Sequence, residues 1–130
     1  MIYLDTSAFV KLIWDEKETR ALQSYLLENE SAPLVASVLL VVETRRAVLR
    51  EDPPSMVRAD LLLSRVGQIG IGPAVVESAG RLPEPALRSL DAIHLATALI
   101  LQGDLRAMVT YDDRLARAAS AQRVPVVSPA

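Results

Sequence analysis

Short blocks of consecutive apolar residues alternate along this chain with longer stretches whose apolar positions recur every three or four residues. The blocks Ile2–Leu4, Pro33–Ala36, Gln68–Ile71, Ala107–Thr110 and Val124–Val127 read as strands. The periodic stretches read as helices over Thr6–Trp14, Glu16–Asn29, Ser55–Val66, Pro73 to about Leu82, Ser89–Leu101 and Asp112–Gln122. A further helix runs to about Arg50 with Ser37 as its cap. Asp52-Pro53-Pro54 breaks the chain, Arg81–Pro85 is a loop, and Gln102-Gly103 stops the helix before it. Strands separated by helices imply an α/β fold, a three-layer α/β/α sandwich around a mainly parallel sheet of four to five strands.

Such sheets carry their chemistry beyond the carboxyl ends of the strands. Asp5 directly follows the first strand, where Ile2-Tyr3-Leu4 breaks off into Asp5-Thr6-Ser7, and Asp112 follows the strand Ala107–Thr110. Glu43 lies within the helix after the second strand, and Asp91 lies in the first turn of the helix Ser89–Leu101. Each has a structural explanation. Asp5 and Asp112 precede helices, where aspartate caps the free N–H groups. Asp91 gains from the helix dipole. Glu43 neighbours Leu39, Leu40 and Ala47 on an apolar face, so it needs a partner, and Arg46 and Arg50 stand one and two turns further on.

Taken together, the four acids call for something more. Two carboxylates about 4 Å apart repel by roughly 1–4 kcal/mol, depending on the effective dielectric. Four in one place need protons or a cation. All-oxygen ligation of that kind favours Mg²⁺ or Mn²⁺, and such ions activate water and align a phosphodiester for attack.

Composition narrows the classes. The chain has no cysteine, which excludes disulfides, zinc-thiolate sites and thiol nucleophiles. At 130 residues, 51% hydrophobic, it is expected to form one domain over 1–130 with a substantial core. Aromatics at 4% argue against a row of base-stacking rings. The net charge of −2 does not itself point to nucleic acid, but acids committed to a divalent ion change that balance. The apolar runs are too short for a membrane span, and no basic segment precedes an apolar one at the amino terminus, so a cytoplasmic location is expected.

The segments "IYLDTSAFVKL", "SLDAIHLATAL" and "VTYDDRLARAA" resemble the three hallmark segments of the PIN-domain ribonucleases, in particular the VapC toxins of bacterial toxin–antitoxin pairs. The likeness covers nearly the whole chain in the expected order. D-A-I-H-L-A-T-A is its most distinctive part; D-T-S alone is weak. It implies a three-layer α/β/α fold, RNA cleavage with Mg²⁺ or Mn²⁺ held by acidic residues, a homodimer, and inhibition by a VapB antitoxin.

Carried onto this chain, the acidic quartet is Asp5, Glu43, Asp91 and Asp112, with Asp113 a second candidate for the last place. Asp5 and Asp91 become leading metal ligands, with Asp112 binding directly or through water. Glu43 is either a ligand or the base that orients the attacking water. The hydroxyls of Thr6, Ser7 and Thr110 are candidates for metal-bound waters or phosphate, or for local capping.

Arginine outnumbers lysine 12 to 2, and Arg45, Arg46, Arg50 and Arg88 lie nearest the acids in sequence, so they are candidates for an RNA path. His94, the only histidine, sits in an apolar helix one turn from Asp91 and reads as a hydrogen-bonded structural residue before a catalytic base.

Three other classes fit less well. A receiver-like signalling domain needs an aspartate ending its third strand and a lysine ending its last, where this chain has Ile71-Gly72-Pro73 and Val126-Val127-Ser128. A dehalogenase-type phosphatase needs a second aspartate where Ser7 stands, and Gly70-Ile71-Gly72 lacks the third glycine of a nucleotide loop. A catalytically silent PIN-fold binding module would be expected to have lost one or more acids, and all four are present.

Overall fold

A computed structural model describes residues 1–130. Five strands form one sheet: β1 (Ile2–Leu4), β2 (Leu34–Ser37), β3 (Gly67–Ile69), β4 (Ala107–Val109) and β5 (Val126–Val127). Their order is β3-β2-β1-β4-β5, and every pairing is parallel. Seven helices surround the sheet: α1 (Thr6–Ile13), α2 (Thr19–Glu28), α3 (Leu39–Glu51), α4 (Met56–Leu63), α5 (Pro73–Gly80), α6 (Ser89–Ile100) and α7 (Asp113–Ala121). The expected three-layer α/β/α architecture is the one observed. No helix is long and apolar enough to cross a membrane.

Strand alternation divides the core in two. Ile2, Leu4, Ala36 and Val109 face one side, packing with Phe9 and Ile13 of α1, Leu22 of α2, Leu40 and Val48 of α3, and Ala59 and Leu63 of α4. Tyr3, Val35 and Met108 face the other, against Leu95 and Ala98 of α6 and Leu115, Ala118 and Ala119 of α7. The central strand β1 is fully buried on both faces, which is why its three residues are all large and mostly aliphatic.

Several element boundaries are tighter than the apolar pattern suggested. The second helix starts at Thr19 instead of Glu16 because the Thr19 hydroxyl donates to the Lys11 carbonyl at 2.8 Å and accepts from the Glu16 N–H at 2.9 Å. This staples 15–18 as a loop. Pro53–Ser55 forms a 3₁₀ turn before α4. Strand β3 spans Gly67–Ile69, not Gln68–Ile71, since Gly70 and Ile71 already leave the sheet to deliver Pro73 to the first turn of α5. The Val124 N–H bonds the carbonyl of Ala119 at the end of α7, so β5 begins only at Val126. Ser37 ends β2, and its Oγ accepts the Leu39 N–H at 3.2 Å, with Val38 at the cap position.

The chain winds outward from β1 in both directions, so the strand order reverses between β1 and β4. Open parallel sheets place a crevice outside the carboxyl ends at that point.

Candidate active site

Asp5 and Asp112 stand at the carboxyl ends of β1 and β4, next to the reversal. Each caps the helix that follows it. The Asp5 Oδ1 accepts the Ala8 N–H at 2.9 Å, and the Asp112 Oδ1 accepts the Leu115 N–H at 3.0 Å. The capping and acidic-site readings of these residues therefore hold together. Asp91 sits in the first turn of α6 and Glu43 in the second turn of α3. Three helix N-termini, those of α1, α6 and α7, thus carry an acid each, where the positive end of the macrodipole favours negative charge.

Glu43, Asp91 and Asp112 line one open cleft of about 350 Å³ together with Arg88, Ser89 and Leu90. Asp5 is only 3% exposed and does not line this cleft; its carboxylate is enclosed by hydroxyls. Ser7 Oγ donates to its Oδ1 at 2.7 Å and Thr110 Oγ1 to its Oδ2 at 2.5 Å. Ser7 Oγ in turn accepts the Tyr111 N–H, and Thr110 Oγ1 accepts the Asp112 N–H. Thr6 Oγ1 donates to Glu43 Oε1 at 2.8 Å. All three hydroxyls give their protons to carboxylates of the quartet, which orients the acids.

Burial pushes the Asp5 carboxyl above its ordinary range and outweighs the lowering effect of the Thr110, Ser7 and Ala8 hydrogen bonds. Asp91 is also raised, first by burial and then by the charge of Asp112, with Glu43 adding to it; His94 and Arg88 oppose. Glu43 goes the other way. Burial acts to raise it, but the His94 imidazole and the Thr6 hydroxyl hold it below the usual carboxylate range. The Asp91 carboxylate receives no hydrogen bond from the protein, so only the charges of His94 and Arg88 oppose its repulsion from Asp112.

The donor set is all oxygen and carries a charge surplus that a hard divalent cation would neutralise, so the residues fit such an ion chemically. As placed, however, no group of three or more Asp, Glu or His side chains is close enough to enclose one. Mg²⁺ usually keeps several of its waters and takes only one or two carboxylates directly, and the open cleft suits that kind of ligation.

The sequence pairing of Glu43 with Arg46 and Arg50 is overturned. Arg50 bonds Glu51 at 3.6 Å, and Glu43 is held by Thr6 and by His94, whose Nε2 lies 2.7 Å from Oε1. Of the arginines proposed for the RNA path, only Arg88 lines the cleft. Arg45 is engaged with Asp60, and Arg46 and Arg50 are exposed on α3. Asp113 is exposed on α7 and does not line the cleft, where Asp112 does.

Sequence reasoning missed Tyr3. Its Oη accepts the Ser37 N–H at 3.0 Å and lies 2.7 Å from His94 Nδ1, so it connects to Glu43 through the imidazole. The available signal was a phenol in a strand buried on both faces, which needs a polar partner.

A parallel sheet of this order with acids gathered at its point of reversal defines a class, and the comparisons agree. Residues 2–121 match the PIN domain family, and the chain belongs to it. Among its relatives is Ribonuclease VapC35 of Mycobacterium tuberculosis, 43% identical over 131 residues, covering 99% of this chain and 97% of that protein. Ribonuclease VapC46 of the same organism is 40% identical over 128 residues, covering 98% and 97%. The chain is thus a member of the VapC branch of the family. Its fold matches VapBC2 of Rickettsia felis, solved bound to a DNA fragment from its promoter, at a TM-score of 0.78, 17% identity and full coverage of both chains. It also matches VapC20 of M. tuberculosis, a sarcin–ricin loop cleaving toxin, at 0.74 and 19% identity over 99% of this chain and 100% of that one.

Proposed function

We propose that this protein is the toxin of a type II toxin–antitoxin pair, an endoribonuclease that hydrolyses RNA phosphodiester bonds at Asp5, Glu43, Asp91 and Asp112 with Mg²⁺ or Mn²⁺, and that a VapB-type antitoxin neutralises it. The observation that supports the reading is one cleft lined by Glu43, Asp91 and Asp112 from three separate segments of a PIN fold, with Asp5 buried at the end of β1, in a chain 43% identical to a named ribonuclease. The VapBC pair among the structural matches supports an antitoxin partner, and the homodimer implied by the family belongs to the same reading.

Asp91 and Asp112 would hold the ion through oxygens the protein leaves unbonded, and Asp5, whose two oxygens accept from Ser7, Ala8 and Thr110, would add its charge to the site. A divalent ion bound there supplies Lewis acidity and a water of lowered pKa. The Glu43 Oε2, which accepts no hydrogen bond from the protein, orients or deprotonates the attacking water. Arg88 at the rim meets the phosphate. The hydroxyls of Ser7 and Thr110 keep the Asp5 carboxylate fixed.

A module that binds RNA without cutting draws on one observation, the lack of a closed three-acid cluster. One experiment separates the two. The purified protein is incubated with structured RNA in Mn²⁺, with and without EDTA, and RNA ends are sequenced for wild type and Asp5→Asn. Discrete ends that vanish with EDTA and in Asp5→Asn are expected. Intact RNA in Mn²⁺, or ends that persist in EDTA, would overturn the proposal.

A further inference from the structure

The chain's only histidine has both ring nitrogens engaged, yet it is 1% exposed and reaches neither the cleft nor a substrate. We infer that Tyr3 and His94 form a positioning pair for Glu43, selecting which of its carboxylate oxygens is turned to the acidic cleft. This rests on the assignment of Glu43 to the proposed nuclease site.

The positioning role assigns a direction to each hydrogen bond. The Tyr3 side chain is fully buried, and its phenol has one proton to give. Its Oη already accepts the Ser37 N–H at 3.0 Å. We assign the phenolic proton to His94 Nδ1, 2.7 Å away on the side of Oη not taken by Ser37. A ring whose Nδ1 accepts carries its proton on Nε2, and that proton points at Glu43 Oε1, 2.7 Å away. Thr6 donates to the same oxygen at 2.8 Å.

Two donors on Oε1 and none on Oε2 fix the carboxylate plane. Oε2 is left to the cleft it shares with Asp91 and Asp112. Without the pair, Glu43 regains its side-chain rotamers, and engaging an ion or a water must freeze them again. Tyr3 touches no substrate, so its influence on chemistry can pass only through the imidazole.

A purely structural pair would tie β1, β2, α3 and α6 together and do nothing else. Substitutions separate the two roles, because a glutamine amide stands where Nε2 stands and an asparagine carbonyl stands where Nδ1 stands. His94→Gln keeps the donor to Glu43; His94→Asn keeps only the acceptor for Tyr3. Three readouts apply to each full-length variant: the melting temperature, Mn²⁺ affinity of the metal-free protein by EPR titration, and kcat and KM for RNA; imidazole ¹⁵N spectra are recorded on wild type and Tyr3→Phe, which keep the ring.

With one histidine, the two ring nitrogens of wild type are assigned without ambiguity. The expected spectrum shows Nε2 protonated and Nδ1 bare. His94→Asn is expected to lose about 10–100-fold in Mn²⁺ affinity and kcat, the usual effect of removing a group that orients a ligand, with KM for RNA unchanged. His94→Gln restores both, and Tyr3→Phe lowers both and yields mixed tautomers in the ring spectrum.

The inference is overturned by His94→Asn that folds and keeps wild-type Mn²⁺ affinity and kcat, or by a ring protonated on Nδ1 alone. Should His94→Asn not fold, Tyr3→Phe and the wild-type spectrum decide the matter by the same criteria. Glu43→Gln marks the difference from the wider reading. If it cleaves normally, the site assignment itself fails. If it is inactive while folded His94→Asn is not impaired, only the positioning role fails.

Discussion

Asp5 is asked to do two things, and substitution separates them. As N-cap of α1 it accepts the Ala8 N–H, and with the same carboxylate it accepts the hydroxyls of Ser7 and Thr110, all in a site only 3% exposed. Asp5→Ala removes a cap worth about 1 kcal/mol. It also deprives the buried Thr110 hydroxyl and the half-buried Ser7 hydroxyl of their carboxylate acceptor, at about 1–3 kcal/mol each. Deleting a carboxylate that burial disfavours returns part of that sum, leaving a net loss of about 2–4 kcal/mol. For a domain of this size the melting temperature should fall by about 6–12 °C.

Asp5→Asn behaves differently. Asparagine caps a helix as well as aspartate, its carbonyl still serves Ala8 and Ser7, and its amide can donate to Thr110 once that hydroxyl turns. The buried charge, whose pKa the fold raises, is gone. Stability should stay within about 1 kcal/mol of wild type in the absence of metal. Both variants should lose Mn²⁺-dependent cleavage. Differential scanning fluorimetry of metal-free protein, paired with a fluorogenic RNA assay, checks both halves. Equal melting temperatures for the two variants would refute the capping account, and cleavage by either would refute the role at the metal.

The raised Asp91 carboxyl gives a pH dependence whose sign is fixed. A group whose pKa is raised in the fold contributes stability below its unfolded value, near 3.8, and that contribution is lost as pH rises through the folded pKa. Metal-free Asp91→Asn should therefore gain in melting temperature over wild type as pH climbs from there to neutrality, and saturating Mn²⁺ should reverse the gap by stabilising wild type alone; a gap independent of pH would refute this. Arg88→Ala should weaken RNA binding in an Asp5→Asn background and flatten the salt dependence by about 0.7 in the log–log slope, the value of one phosphate contact on a single strand, as read by fluorescence anisotropy. Arg58 donates to the carbonyls of Leu12 and Ile13 at 3.0 and 3.2 Å, closing the end of α1 from α4. Arg58→Ala should cost about 1–3 kcal/mol by urea denaturation and leave kcat unchanged.

Strand ends and acids were legible in the sequence because both leave a local mark. Leu4-Asp5 and the Asp112 that follows β4 stand where an apolar block stops, and parallel connectivity puts both at the same edge of the sheet. The partner of Glu43 was not legible. Helical spacing pointed to Arg46 and Arg50, which lie on the same helix, whereas the actual partners come from α1 and α6, 37 and 51 residues away. Spacing within one helix says nothing about what another helix brings. Element limits failed for a related reason. Thr19 ends a loop through two hydrogen bonds to Glu16 and Lys11, and Val124 is claimed by Ala119, and neither competitor alters the apolar pattern that sets a predicted boundary.

The sheet order has a consequence for biosynthesis. Strand β1 is made first, but one of its two neighbours, β4, emerges about a hundred residues later and brings Thr110 and Asp112 with it. Until then the nascent chain holds Asp5 with no Thr110 to clasp it and a cleft with one wall missing. Under the proposed nuclease function, the site is completed only when these late strands dock, so cleavage should begin only once synthesis is nearly finished.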